Sequence, residues 1–184
     1  MGLAHRRMSY SDLQQMPEDG RRFELYDGEL FEMSGPILWH QAVANNLKRV
    51  IEEAQPAIGG ISFIAPFDVV FSEFDVVMPD VIFLTKARRH LLDLRGPARA
   101  VPDLAVEVLS PGTRSNDRGR KMKMFARYGV NEYWIADPDT SVLEIWRLEG
   151  GSYPLAQRAS GDDVVRSPLL APFTFPVSRA FQLP

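Results

Sequence analysis

The sequence predicts an α/β protein of the α+β kind, with helices packed on a mixed sheet. Two observations favour this class. Hydrophobic patterns in the central chain follow the order helix, strand, strand, strand, helix, strand. That order lacks the regular strand–helix alternation of a doubly wound fold. The 184 residues are 45% hydrophobic and 24% charged, a composition typical of a single globular domain.

The N-terminal elements carry clear local signals. The segment Ser9 to Asp12 resembles a capping box, and it predicts a short helix that ends before Pro17. Asp27 and Gly28 separate two strand-like runs, which predicts a β-hairpin over 22–33. Apolar residues then recur at steps of three and four, which predicts a helix over 37–54.

A glycine pair at 59–60 interrupts the chain and is followed by strand-like segments. Two long strands are predicted over 61–71 and 75–84. The basic stretch 85–99 is interpreted as a short helix and loop. The run 101–109 is a third strand, and its nearly unbroken apolar character predicts burial on both faces.

The C-terminal part continues this alternation. A turn at 111–112 is followed by a helix over 115–128, which Gly129 ends. Further strands are predicted over 133–136, 142–147 and 153–159. All these elements form one predicted domain over 1–184, with a core over about 37–137, a hairpin over 22–33 and C-terminal strands over 141–167.

Composition excludes several classes of function. The formal net charge of -3 argues against a polycation that holds nucleic acid by bulk charge. The absence of cysteine rules out disulfides, thiolate zinc sites and iron–sulfur clusters. Any metal would bind to oxygen ligands, which favours magnesium, manganese or calcium. No secretory signal or membrane span is evident, so we expect a cytoplasmic protein.

Two carboxylates stand in apolar surroundings. Glu107 lies within a run that predicts a buried strand, where a charge is costly unless a cation or several donors meet it. Asp80 follows Pro79 at the start of an earlier strand. Carboxylates on neighbouring strands can converge on one hard divalent cation. A structural salt bridge for Glu107, and a simple strand start for Asp80, are the alternative interpretations.

Three further residues are candidates for the same site. On a helical wheel, Lys121 lies inside an apolar arc, whereas Lys123 lies outside it. An inward amine could reach back over the sheet, although snorkelling to the domain edge would also explain it. Glu24 and His40 are auxiliary candidates. An exposed strand glutamate and a capping or core histidine are the simpler interpretations of those two.

Basic residues flank this predicted site. The segment 114–127 contains six lysines and arginines against the single acid Asp117, and the loop before the third strand is also basic. A solvated helix face explains such a run, but a phosphodiester substrate would also favour it. Nucleic-acid contacts are expected from Arg114, Arg118 and Lys123.

This combination is typical of metal-dependent phosphodiester cleavage. Two acids would hold Mg²⁺ or Mn²⁺, and the lysine would orient a water or stabilise charge in the transition state. The chain resembles the PD-(D/E)xK nuclease superfamily, with the restriction-endonuclease-like fold, and more closely the Uma family of candidate endonucleases. The matching stretches are 23–30, 78–82, 102–111, 117–121 and 129–138.

The resemblance implies roles for individual residues. Asp80 matches the Asp of the Pro-Asp motif, and Glu107 matches the acid of the second half-motif. The superfamily's usual lysine position holds Leu109 here, and Lys121 on the following helix is its candidate replacement. The resemblance further implies a Mg²⁺- or Mn²⁺-dependent endonuclease that acts on DNA and forms a homodimer.

Two alternatives remain open from the sequence. A catalytically silent relative would bind nucleic acid or a protein partner through the same scaffold. A glycoside hydrolase would also use paired carboxylates. The basic flanks and the lack of aromatic clusters suited to sugar stacking argue against a glycoside hydrolase.

Overall fold

The computed structural model describes residues 7–35 and 37–183. The predicted domain limits at 1 and 184 therefore lie outside the described residues. The helices are α1 (Tyr10–Gln14), α2 (Leu38–Ile58), α3 (Arg114–Asn116) and α4 (Met122–Tyr128), with a π-helical turn at Asp117–Lys121 between the last two and 3₁₀ turns at Arg89–Leu91 and Val177–Phe181. None of the described helices is long and apolar enough to cross a membrane.

Twelve strands lie within the described residues. They are β1 (Arg22–Tyr26), β2 (Glu29–Met33), β3 (Ile61–Ile64), β4 (Val69–Ser72), β5 (Asp75–Val77), β6 (Val81–Leu84), β7 (Leu104–Val108), β8 (Glu132–Asp137), β9 (Val142–Arg147), β10 (Leu155–Ser160), β11 (Val164–Arg166) and β12 (Thr174–Pro176). The predicted mixed sheet, the capping box at Ser9 and the hairpin over 22–33 are confirmed, and Glu24 pairs opposite Phe31.

The strands form a six-stranded sheet in the order β10-β9-β8-β7-β6-β3 and a four-stranded sheet in the order β2-β1-β5-β4. A separate small ribbon pairs β11 with β12. In the part of the chain that the structure describes, only β7 and β8 run parallel. Parallel neighbours need a crossover connection. Here the continuous helical segment 114–128 provides it, so this segment passes over one face of the large sheet.

Both faces of the large sheet are covered. One face carries Phe83, Val106 and Trp134 and packs against α2 and the C-terminal segment. The other carries Ala105 and Leu109 and packs against α4. Because side chains alternate along a strand, Glu107 shares this second face and points toward the crossover helix.

Two predicted strands are corrected. The run 61–71 divides into β3 and β4, and the run 75–84 divides into β5 and β6, with each half in a different sheet. Pro66 and Pro79 lie at the two breaks. Proline has no backbone N–H to donate to a ladder, so it ends strand pairing at these points.

Candidate active site

The two predicted carboxylates lie side by side. Strands β6 and β7 pair antiparallel with Val81 opposite Val106, so Asp80 and Glu107 occupy the next position of the same register. Side chains at paired positions point to one face of a sheet. The backbone N–H of Val108 donates a hydrogen bond to Asp80 Oδ2 over 2.8 Å, which fixes the orientation of this carboxylate.

Asp80 and Glu107 open into one cavity of about 70 Å³. Its wall also includes His40, Ser110 and Thr113. The two hydroxyls are 3.0 Å apart, within hydrogen-bond distance of each other. A cavity needs about 10–15 Å³ of this volume to hold one water. The cavity therefore has the size of an ion with a few waters, and a nucleoside would have to remain at its mouth.

Lys121 meets Glu107 from the side away from the cavity. Its amine is fully buried, and Nζ lies 3.0 Å from Glu107 Oε1, 2.8 Å from Glu24 Oε1 and 3.6 Å from Asp117 Oδ1. The π-helical turn contains both Asp117 and Lys121 and directs them inward. The exposed neighbour Lys123 lies outside this cluster. The inward orientation of Lys121 agrees with the helical-wheel prediction.

Glu24 reaches the cluster from the smaller sheet. It is fully buried, which corrects the simpler interpretation of an exposed strand glutamate. Tyr26 donates its hydroxyl to Glu24 Oε2 over 2.5 Å, and the backbone N–H of Met78 donates to Oε1 over 2.8 Å. Asn116 in turn donates to the Tyr26 hydroxyl over 2.7 Å. Two hydrogen-bond donors thus hold Glu24 against Lys121.

These groups carry more acid than base. Burial raises the pKa of Glu107 well above its usual value, and Asp117, Asp80 and Glu24 raise it further against the opposing effect of Lys121. Burial also raises the pKa of Asp117. Burial would lower the pKa of Lys121, but Glu107 and Glu24 outweigh it and raise this pKa above its usual value. We call Glu24, Asp80, Glu107 and Asp117 the acid cluster.

His40 lies on the cavity side of this cluster. Its Nε2 is 3.3 Å from Asp80 Oδ2. Burial opposes protonation of this ring, but Asp80 and the Val108 backbone raise its pKa above the ordinary value. The structure therefore places His40 beside Asp80 rather than in a purely apolar core.

The three residues predicted to contact nucleic acid differ in whether they already form ion pairs. Arg114 forms ion pairs with Asp137 at 2.8 Å and Asp139 at 3.1 Å. Arg118 lies 2.6 Å from Glu144. Lys123 is exposed. Both arginines thus already have acidic partners, and their role toward nucleic acid stays a prediction.

Sequence reasoning missed Arg22, Ser110 and Thr113, which all line the cavity. Arg22 is one of several exposed arginines in the sequence, and no local pattern singles it out. Ser110 and Thr113 read as ordinary turn residues beside Pro111. Only the folded chain brings them next to Asp80.

The residues present fit a hard divalent cation. The cavity offers two carboxylates, and burial together with the neighbouring acids disfavours the ionised form of Glu107, an effect that a bound cation would oppose. Across residues 7–35 and 37–183, no group of three or more His, Asp or Glu side chains could hold a metal on its own. Magnesium commonly uses one or two carboxylates and completes its shell with water and substrate phosphate. Asp80 and Glu107 match that mode.

Comparison with known proteins gives the family. The family model Uma2, described as "Putative restriction endonuclease", matches residues 10–178. The chain belongs to the Uma2 family. No curated protein matches the chain significantly.

A solved structure shares the fold of this Uma2 protein. The crystal structure of a "putative nuclease belonging to DUF820" from Anabaena variabilis ATCC 29413, at 1.96 Å resolution, has 17% sequence identity and a TM-score of 0.77. The match covers 95% of this chain and 97% of that chain. Identity at this level establishes the fold alone, which is the restriction-endonuclease-like fold. Family and fold together indicate a nuclease, and they confirm the resemblance and the fold class predicted from the sequence.

Proposed function

We propose that the protein is a divalent-metal-dependent endonuclease that hydrolyses phosphodiester bonds in DNA. The observation that carries this proposal is the shared cavity of Asp80 and Glu107. These carboxylates come from adjacent strands, open into a space of ionic size, and belong to an acid cluster that one lysine cannot neutralise. The family description as a restriction endonuclease supports DNA as the substrate.

Asp80 and Glu107 would hold the metal, either Mg²⁺ or Mn²⁺. When bound, the cation would polarise the scissile phosphate and lower the pKa of an attacking water. Neighbouring residues fix the orientation of Asp80. The Val108 N–H and His40 Nε2 both contact Asp80 Oδ2 and orient this carboxylate. No side chain needs to form a covalent bond with the substrate.

Lys121 acts on this site through Glu107. Its amine does not line the cavity and is enclosed by three carboxylates. These contacts support a positioning role, in which Lys121 fixes the Glu107 carboxylate and holds the carboxylates of the acid cluster together. A direct role on the attacking water, as the sequence predicts, stays a prediction.

Isosteric variants test the metal-dependent reaction. We expect Asp80→Asn and Glu107→Gln to reduce Mg²⁺- or Mn²⁺-dependent cleavage of plasmid DNA at least about 100-fold, because each removes a carboxylate charge where the cation would bind. Asp162→Asn is the matched control, since Asp162 is exposed in the turn between β10 and β11. Chelation with EDTA should abolish cleavage by the parent protein. Cleavage by both site variants at the parental rate would overturn the assignment.

The enclosed amine of Lys121 favours one alternative, a catalytically silent module that binds nucleic acid or a protein partner. The usual superfamily lysine position is Leu109 here, and Lys121 has no opening to the cavity. This alternative predicts DNA binding, measured by fluorescence anisotropy, without turnover at any divalent metal concentration. Metal-dependent cutting that disappears in Asp80→Asn would exclude it.

A further inference from the structure

Arg22 is the cationic side chain that lines the candidate cavity together with His40. It begins strand β1 and is exposed. Among the described residues, no carboxylate lies within ion-pair distance of its guanidinium. A free guanidinium thus stands at the mouth of a cavity whose interior is acidic.

The neighbouring arginines differ from Arg22 in this respect. Arg114 and Arg118 on the crossover helix are paired with acids, and Arg120 pairs with Glu29 over 3.1 Å while it lies over the Phe31 ring. Arg127 lies 2.6 Å from Asp75. Binding a phosphate with any of these four would require an existing ion pair to open. Arg22 carries no such cost.

The hairpin gives Arg22 a fixed relation to the acid cluster. Residues two apart in a strand point to the same face, so Arg22 and Glu24 share one side of β1. Glu24 is buried against Lys121, whereas Arg22 lies at the strand end where the cavity opens. Strand β1 therefore places Glu24 in the interior of the site and Arg22 at its mouth.

We propose that Arg22 binds a backbone phosphate of the nucleic acid at the mouth of the cavity. This inference rests on the proposed function, since it assigns a substrate contact to the same site. The guanidinium presents paired donors that match two phosphate oxygens. The hydroxyls of Ser110 and Thr113 line the same cavity and hydrogen-bond to each other, which leaves one O–H free to donate to the same phosphate group. The phosphate would thus meet an unpaired cation before it approaches the carboxylates.

The salt dependence of DNA binding tests this contact. Each phosphate neutralised on duplex DNA contributes about 0.9 to the slope of log K against log salt concentration. We therefore expect Arg22→Gln to weaken binding of a short fluorescent duplex about tenfold and to reduce that slope by about 0.9. Arg22→Lys should retain the slope, because the charge remains.

Arg21 offers a matched control one residue away. It is exposed, lies 2.7 Å from Asp19, packs over the Phe23 ring and does not line the cavity. Arg21→Gln should leave the slope within about 0.3 of the parental value, well below the change of about 0.9 expected for a lost phosphate contact. Thermal unfolding of each variant checks that both remain folded. Equal slopes for Arg22→Gln and Arg21→Gln would overturn the inference.

Cleavage assays separate this inference from the proposed function. If the parent cuts DNA, Arg22→Gln should raise KM more than it lowers kcat, because the phosphate contact forms in the ground state and in the transition state. If the parent binds DNA but never cuts, the proposed function fails while the slope still decides the role of Arg22. A parent protein that does not bind DNA at all overturns both.

Discussion

At the scale of single residues, the amine of Lys121 holds the candidate site together. It is fully buried and lies within 4 Å of three carboxylates. A buried charge is tolerated only when it is paired, and removing one partner leaves the others in a medium that solvates them poorly. Lys121 therefore belongs to the stability of the fold as much as to the site.

We predict that Lys121→Met lowers the free energy of unfolding by about 3–5 kcal/mol, because three acids lose their common cation. Urea unfolding followed by circular dichroism measures this change. The control is Lys123→Met on the same helical segment, which should stay within about 0.5 kcal/mol of the parent because Lys123 is exposed. Equal stability of the two variants would contradict the pairing described for Lys121.

Loss of stability in a Lys121 variant would also abolish its activity. A Lys121 variant that fails to cut DNA could simply be unfolded. Asp80→Asn and Glu107→Gln are the more informative variants, since each retains the shape of the side chain and removes a charge from an acidic excess. Lower repulsion within the acid cluster should leave these variants folded.

The sequence predicts some of these residues better than others. Glu107 and Lys121 are visible because each interrupts an apolar pattern of known period. Glu24 is ambiguous, since the pairing of a hairpin does not say whether another layer covers its face. Arg22 cannot be recognised at all, because its significance lies in the absence of an ion pair, which depends on every neighbouring side chain.

At the scale of elements, the connection between α2 and β3 depends on Gly60. Its φ of 94° is unfavourable for residues with a side chain. A Cβ atom at this position would lie 2.5 Å from the carbonyl oxygen of Leu84 and 2.6 Å from the Phe83 ring. The backbone at Gly60 therefore packs directly against Leu84 of strand β6, which lies four residues after Asp80 in the sequence.

We predict that Gly60→Ala destabilises the protein by about 1–3 kcal/mol more than Gly20→Ala does. Both glycines have positive φ, but a Cβ at Gly20 would meet nothing within 4 Å. The comparison therefore separates the clash at Gly60 from the backbone strain that the two sites share. Thermal unfolding of both variants measures the difference, and an equal decrease in Tm would show that the close approach to Leu84 is unimportant.

Element boundaries show where sequence patterns reach their limit. The crossover helix could be predicted from its apolar arc and strand β7 from its nearly unbroken apolar run, whereas the π-helical turn Asp117–Lys121 could not. The runs 61–71 and 75–84 also look continuous, since strands of both sheets are rich in β-branched residues. Pro66 and Pro79 mark the breaks, but proline is also tolerated at strand edges, so the sequence does not reveal that the chain moves to another sheet.

At the scale of the whole molecule, the acid cluster joins the two main sheets. Glu24 belongs to the smaller sheet, Glu107 to the larger one, and Lys121 to the helix between them. Mutual repulsion among the acids works against this assembly. A divalent cation beside Asp80 would offset the repulsion, so metal binding and folding stability should be linked.

We predict that Mg²⁺ or Mn²⁺ raises the Tm of the parent protein by roughly 5–10 °C at about 100 times the dissociation constant. Differential scanning fluorimetry with increasing metal concentration measures this shift, with NaCl of equal ionic strength as the control. Asp80→Asn should lose most of the shift, and Asp162→Asn should keep it. A shift of the same size in Asp80→Asn would place the bound cation elsewhere on the molecule.

The spacing of the cluster along the chain has a consequence for biosynthesis. Its four acids, at 24, 80, 107 and 117, all leave the ribosome before the lysine at 121. Until residue 121 emerges, the buried amine that pairs with three of these carboxylates is missing, and their burial in one cluster is unfavourable. The candidate site therefore cannot assemble on the nascent chain before the segment that contains Lys121 has left the ribosome and packed against both main sheets.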